Sequence, residues 1–274
     1  MSRVEVNGVE LFYEAGGDGD PLVLVHGSWG DHEAWAPVVH ALALRFRVLV
    51  YDRRGHSQSE RPPGPGSRFE DEEDLAALME TLGFAPAYVA GNSFGASTVL
   101  GLASRRPELF RGIIAHDPPL MGLLADDSGL LPSATAGSRK IESVLEHLRA
   151  DRPRAAVRQF VEEVVLEPGA WDQLPERVRD TFVANAPTFL DEQADPGWAD
   201  LDLGLLSGHT GPALLSKGTQ SPPWFAAITD RLSKALPQAE THTFEGAGHI
   251  PHISHPETYV ERLISFVDGN RNPA

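Results

Sequence analysis

Short apolar runs recur along the chain, separated by stretches of helical period. Pro21–His26 (PLVLVH), Arg47–Asp52 (RVLVYD), Ala87–Ala90 (AYVA), Gly112–His116 (GIIAH) and Ala213–Ser216 (ALLS) have too few polar alternations for half-exposed strands. They predict a sheet covered on both faces. Between them, Ala34–Leu44, Asp71–Leu82, Ala96–Arg106 and Ile228–Ala235 repeat their apolar positions at helical spacing. Strands alternating with helices imply parallel βαβ units with right-handed crossovers. Val4–Val6 and Leu11–Tyr13 flank an Asn7-Gly8 pair, a strong hairpin signal. The expected fold class is α/β with an antiparallel start.

The rhythm stops after Pro118-Pro119. From about Leu120 to Ser207 only helix-like pieces follow, among them Lys140–Arg149, Ala155–Leu166 and Glu176–Ala186, punctuated by Pro153, Pro168-Gly169, Pro175 and Pro187. The strand pattern returns at Ala213. An all-helical insertion between two strands of one sheet predicts a core of residues 1–119 and 208–274 with a cap over 120–207. The acidic run Glu70–Asp74 sits where a helix begins, and helix-dipole and solvation roles explain it.

Composition narrows the function. The 274 residues carry 23 Lys and Arg against 39 Asp and Glu, a formal charge of −16. That balance repels phosphate backbones and anionic lipid, so neither nucleic acid nor a membrane surface is an expected partner. The absence of cysteine excludes disulfides, Cys-zinc sites, iron–sulfur clusters and thiol catalysis. No apolar run approaches the ~20 residues of a membrane span, and the N-terminus alternates like a strand instead of showing a signal-peptide core. A cytoplasmic protein is expected; its oligomeric state is open, a homodimer included.

The sharpest chemical signal is Gly91-Asn92-Ser93-Phe94-Gly95, between the strand AYVA and the helix ASTVLGLASRR. Gly-x-Ser-x-Gly in strand–turn–helix context is a nucleophile elbow that lifts the serine hydroxyl above the sheet edge. The N–H of Phe94, at the helix start, can face a developing oxyanion. His26-Gly27-Ser28-Trp29-Gly30 closes the first strong strand, where the N–H of Ser28 is the candidate second oxyanion donor and Trp29 the candidate pocket mouth. Asp52–Ser57 (DRRGHS) reads as a structural loop, with His56 near the site edge at most. Gly246-Ala247-Gly248-His249 follows the strand-like THTFE, and places His249 after Ser93 in the order Ser…acid…His. His252 and His255 follow at intervals of three, but Pro251 and Pro256 interrupt the run and no carboxylate completes a zinc spacing, so no metal is expected.

With HGSWG, DRRGHSQS, GNSFG and GAGH in this order, the chain resembles the α/β-hydrolase superfamily over nearly its whole length. The resemblance implies an eight-stranded, mostly parallel sheet flanked by helices, a Ser-His-acid triad, a two-donor oxyanion hole, no cofactor, and a cap inserted after the sixth strand. That family usually carries its acid in the loop after the strand read here as ALLSKG, often three residues after a glycine. Counting from Gly218 gives Thr219, Gln220 and Ser221, none of them acidic, and Asp230 lies well into the next helix. Asp117, ending the strand GIIAHD beside the expected nucleophile strand, is the alternative. Some family members draw their acid from this strand end, among them the zearalenone-lactone hydrolases, which this chain also resembles in GASTVLGL and HISHPE.

These positions predict a serine hydrolase acting on a small-molecule ester or lactone, neutral and largely apolar, with Ser93 as nucleophile, His249 as base and Asp117 as acid. The insertion contributes Phe160, Trp171, Phe182, Phe189 and Trp198, and the core Trp224; Trp29, Trp171, Trp198 and Trp224 are the candidate pocket residues. The same triad also serves C–C bond hydrolysis, cofactor-free haloperoxidation or lyase chemistry, and a slow binding or receptor-like protein is the third class.

Overall fold

Each of the five apolar runs forms a strand, and three more strands complete a single sheet. The computed structural model describes residues 2–127, 129 and 131–271. Its strands are β1 (Ser2–Val6), β2 (Val9–Gly16), β3 (Asp20–Val25), β4 (Phe46–Tyr51), β5 (Ala87–Asn92), β6 (Phe110–His116), β7 (Ala213–Gly218) and β8 (Glu240–Phe244), in the order β1-β2-β4-β3-β5-β6-β7-β8. β1 and β2 pair antiparallel around Asn7-Gly8, β2 joins β4 antiparallel, and every later pairing is parallel.

Alternation along β3 decides which layer each residue enters. Val23 and Val25 face a core shared with Leu75 of α2 (Arg68–Thr81), Val99 of α3 (Phe94–Arg105) and Ile228 of α9 (Pro223–Ala235). Leu22 and Leu24 face Val38 of α1 (Ala36–Ala43) and Leu263 of α11 (Pro256–Gly269), which the short α10 (Pro251–Ser254) precedes. Both faces are therefore covered, as the unbroken apolar runs require. Pairings of Val25 with Gly91, Asn92 with His116, and His116 with Ser216 bring the carboxyl ends of β3, β5, β6 and β7 to one edge.

Between β6 and β7 lies the helical insertion: α4 (Leu131–Arg149), α5 (Pro153–Gln159), α6 (Ala170–Gln173), α7 (Glu176–Ala194) and α8 (Leu203–Leu206). It buries its own cluster of Val144, Leu148, Val157, Trp171 and Phe189, onto which Trp29 of the core packs. The single helix expected over Ala155–Leu166 is instead α5 followed by a π-helical turn, Phe160–Val165.

The acidic run also differs from expectation. α2 begins at Arg68, with the Ser67 hydroxyl accepting the Glu70 N–H at 3.2 Å. Asp71, Glu72 and Asp74 are buried, paired with Arg53, with Arg68 and Arg105, and with Arg54 respectively. Solvation does not explain a run whose carboxylates are mostly sealed by guanidinium groups.

Candidate active site

Ser93 sits between β5 and α3 with φ +56° and ψ −127°, a conformation L-residues adopt at a cost. The flanking glycines are steric requirements. A Cβ on Gly91 would lie 2.5 Å from the Gly95 carbonyl oxygen, and one on Gly95 would lie 2.4 Å from that of Val25. The turn is pinned by the Ser93 N–H, which donates to the His116 carbonyl at 3.0 Å. Phe94 opens α3, so its N–H has no acceptor within the helix.

Asp117 leaves β6 with φ +46° and is fully buried. His249 Nδ1 lies 3.2 Å from Asp117 Oδ2, at the outer limit of the roughly 2.6–3.2 Å reach of a working acid–base pair. An ionised carboxylate only accepts, so Nδ1 carries the proton and Nε2 is left for another partner. Burial raises the Asp117 carboxyl, but the His116 and His249 imidazoles more than offset it and hold the group well below the usual carboxylate range. Asp117 stays charged at neutral pH.

Three residues support this pair that sequence reading does not single out. Ser221, at the third position after Gly218 where the family's acid usually stands, donates its hydroxyl to Asp117 Oδ2. His116 Nε2 lies 3.3 Å from the same oxygen, with its Nδ1 3.0 Å from Ser216 Oγ. Asn92, inside the elbow motif, donates from Nδ2 to the His249 carbonyl at 2.7 Å. A polar residue at Asn92, just before the serine, is a usable signal; the contact of His116 with its neighbour Asp117 carries no motif, and the Ser216 hydroxyl on its other ring nitrogen comes from 100 residues away.

Two apolar cavities meet at these residues. One, of about 340 Å³, is lined by Ser93, Phe94, His249, Trp198, Trp224 and Phe225 among others. The other, of about 310 Å³, runs along Trp29, Leu174, Val178, Phe182 and His252. Ser28, Ser93, Phe160, Val165 and His249 belong to both. Phe225 stacks on the His249 ring, 4.9 Å between centroids. Trp29, with φ +68°, stacks on Phe189 at 4.5 Å. Trp171 departs from expectation: it is buried in the insertion's own core and lines neither cavity. Its indole fills the space between the helices of the insertion. His252 lies tilted against Trp35, 4.3 Å between ring centroids, and burial pushes its imidazole down to about 3.

Among the described residues, one group of carboxylates and imidazoles is close enough to hold a metal: Asp31, His32 and Asp52. Its polar atoms already have hydrogen-bond partners, within the group and from the neighbouring loop. His32 Nδ1 meets Asp52 Oδ1 at 2.6 Å, Asp52 Oδ2 accepts the Gln58 N–H, and Asp31 accepts from Ser57 and Glu33. The donor set reads as loop architecture. Among the described residues no helix is long and apolar enough to cross a membrane.

A family model described as alpha/beta hydrolase fold matches residues 20–256. The 2-(acetamidomethylene)succinate hydrolase of Mesorhizobium japonicum is 26% identical over 97% of this chain and 95% of its own length. An uncharacterized hydrolase of Bacillus subtilis, YraK, is 39% identical over a shorter stretch, 44% of this chain and 45% of that protein. Among solved structures, the enol-lactonase of Burkholderia xenovorans superposes with a TM-score of 0.79 at 26% identity, covering 97% of this chain and all of that one.

Proposed function

Since this chain belongs to the α/β-hydrolase family, we propose that it is a serine hydrolase cleaving a carboxylic ester or lactone of a neutral, largely apolar substrate through an acyl-enzyme. The observation that carries this reading is the convergence of an elbow serine and a histidine–carboxylate pair where two apolar cavities meet. The missing acid after Gly218 is met by Asp117, whose carboxylate bonds the ring the mechanism needs.

In this mechanism Ser93 Oγ attacks the carbonyl carbon while His249 Nε2 takes its proton. Asp117 fixes the Nδ1–H tautomer and balances the imidazolium charge. The N–H groups of Phe94 and Ser28 hold the oxyanion, the second from the loop after β3. His249 returns the proton to the leaving oxygen, and then activates the water that releases the acid. A serine at the elbow separates this chain from relatives that need an elbow aspartate to open epoxides or displace halide.

The substrate class follows from the walls. Both cavities expose mostly apolar surface, with Trp, Phe, Leu, Val and Ile among their lining residues, and their volumes suit apolar groups on either side of the carbonyl. The enol-lactonase likeness is consistent with lactones belonging to the range. A panel of esters, lactones and β-diketones, run on wild type beside Ser93→Ala, tests this. Turnover of apolar members by wild type alone is expected; turnover retained in Ser93→Ala, or confined to β-diketones cut at a C–C bond, would reject it.

A further inference from the structure

The loop that carries Ser28 is not held by the sheet alone. Helix α7 of the insertion presents Asn185, Thr188 and Glu192 at spacings of three and four, hence on one face, and all three are buried. Asn185 Nδ2 donates to the carbonyls of Trp29 at 3.2 Å and Gly30 at 2.9 Å, while its Oδ1 accepts the Ser57 N–H at 2.8 Å. Thr188 Oγ1 lies 3.0 Å from His56 Nε2. Glu192 Oε2 accepts the Ser28 hydroxyl at 2.6 Å, and Oε1 accepts from Arg53 Nη2.

Arg53 extends this contact to the other side of the serine. It is fully buried, its Nη1 donates to Asp71 at 2.9 Å, and its guanidinium lies 4.7 Å over the Phe94 ring. One carboxylate from the insertion thus touches Ser28 directly and Phe94 through a guanidinium. A helix that served only as a cavity wall would bury apolar groups, because sequestering a carboxylate and a guanidinium is costly compared with an apolar pair. Trp29, in the same loop, holds a left-handed backbone at φ +68°, which surrounding contacts must impose.

We propose that Asn185 and Glu192 are positioning residues for the oxyanion hole: the insertion fixes the Ser28 loop and so contributes to the chemical step as well as to substrate choice. This rests on the assignment of Ser93 as nucleophile and of the Ser28 N–H as oxyanion donor. Removing an oxyanion donor outright costs about 10²–10³ in turnover, so loosening one should cost about tenfold.

The test uses p-nitrophenyl acetate, too small to depend on the outer walls. Glu192→Gln should lower kcat about tenfold with KM changed less than about twofold. Ser28→Ala keeps the backbone N–H and removes only the hydroxyl tether, and it should lose a similar factor. The double variant should lose little more than either single one, since both act on the same Ser28–Glu192 contact, which Gln weakens by removing the charge. Losses that multiply, or that fall on KM, overturn the proposal. Should Glu192→Gln not fold, Ser28→Ala with wild-type kcat overturns it alone. Amide hydrogen exchange gives a readout free of turnover. Residues 27–30 should exchange faster in Asn185→Ala and Glu192→Gln, with β5 unchanged; unaltered exchange at 27–30 rejects the tether. Faster exchange in the variants of a protein whose wild type shows no Ser93-dependent turnover rejects the proposed reaction and leaves the tether standing.

Discussion

The two flanks of Ser93 are built from different material. On the Asp117 side, Asn92, His116, Asp117, Ser216, Ser221 and His249 lie at the carboxyl ends of core strands or in the loops that follow them, and parallel register brings those strand ends together. On the side of the proposed oxyanion hole, the loop after β3 leans on a helix inserted far along the chain, through Asn185 and Glu192. The first flank is built on the sheet's own strand ends and loops. The second is shared between sheet and insertion, so it is where a change in the insertion can reach the chemistry. A residue that only lines a cavity and a residue that tethers a loop can sit on the same helix.

Removing the acid charge should break the first flank. Asp117→Asn keeps the shape but no longer balances the imidazolium and can favour the wrong tautomer. The comparable aspartate-to-asparagine change in a serine protease triad costs about 10⁴ in turnover. A loss of kcat on the order of 10²–10⁴ is expected here, measured by ester turnover, with Asp230→Asn near wild type. Asp230 is exposed on α9, 3.8 Å from Lys217, so an equal loss there would undo the distinction.

A second change sharpens the same flank. The Ser221 hydroxyl already touches the carboxylate oxygen that faces His249. Ser221→Asp placed on Asp117→Asn should therefore regain about tenfold in turnover, by restoring a charge beside the ring. Placed on wild type, Ser221→Asp sets two carboxylates in contact and should lower activity. A double variant no better than Asp117→Asn would mean that the vacated acid position cannot reach the histidine.

The cavity walls should respond more mildly. Trp198→Ala enlarges the cavity that also holds Trp224 and Phe225. Selectivity between bulky and small esters should shift several-fold, a change of about 1–3 kcal/mol at most for a lost apolar contact, while small-ester turnover stays level. Trp171→Ala should instead lower thermal stability, by about 3–5 kcal/mol for a buried aromatic, and leave selectivity alone. The reverse pattern would exchange the roles given to these two tryptophans.

The smallest effect is on stability against pH. Burial pushes the Glu192 carboxyl up to about 7 and the Asp71 carboxyl up to about 6, against the pull of the one Arg53 guanidinium they share. Asp191 on the same helix adds to the rise at Glu192, and burial together with Arg53 keeps the nearby His56 neutral. Unfolded Glu ionises near about 4.3. Between about 4.3 and 7 the folded state binds more protons, so stability falls as pH rises through that window. Glu192→Gln removes this contribution, and its thermal midpoint should decline less than that of wild type from about pH 5 to about pH 8. Parallel slopes would show that Glu192 does not carry the titration.

Each flank is legible in the sequence only in part: the elbow and the Ser28 loop show as motifs, while His116 and Ser221 on one side and Asn185 and Glu192 on the other do not. The strands, the elbow at Ser93 and the loop at His249 are local patterns, each readable within a short stretch of chain. Asp117 is reached only through the resemblance: the position where that family usually carries its acid offers no carboxylate in Thr219–Ser221, and some members draw theirs from the strand end where Asp117 stands. Asn185 and Glu192 leave no such trace, because the Ser28–Glu192 contact spans 164 residues and the sequence around Glu192 carries no motif. The acidic run misleads for the same reason: its guanidinium partners come from Arg53, Arg54, Arg68 and Arg105, three of them outside the helix it opens. Aromatic spacing cannot separate Trp171, in the insertion's core, from Trp198, at the cavity, because burial between helices and exposure to a substrate use the same residue type.

Covalent labelling with a fluorophosphonate, followed by peptide mass mapping, tests the nucleophile directly, because only an activated serine hydroxyl attacks such a phosphorus centre at neutral pH. One equivalent on the peptide containing Ser93 is expected in wild type, with none in a folded Ser93→Ala. Labelling that persists elsewhere in Ser93→Ala, or no labelling of wild type, would contradict the proposed chemistry.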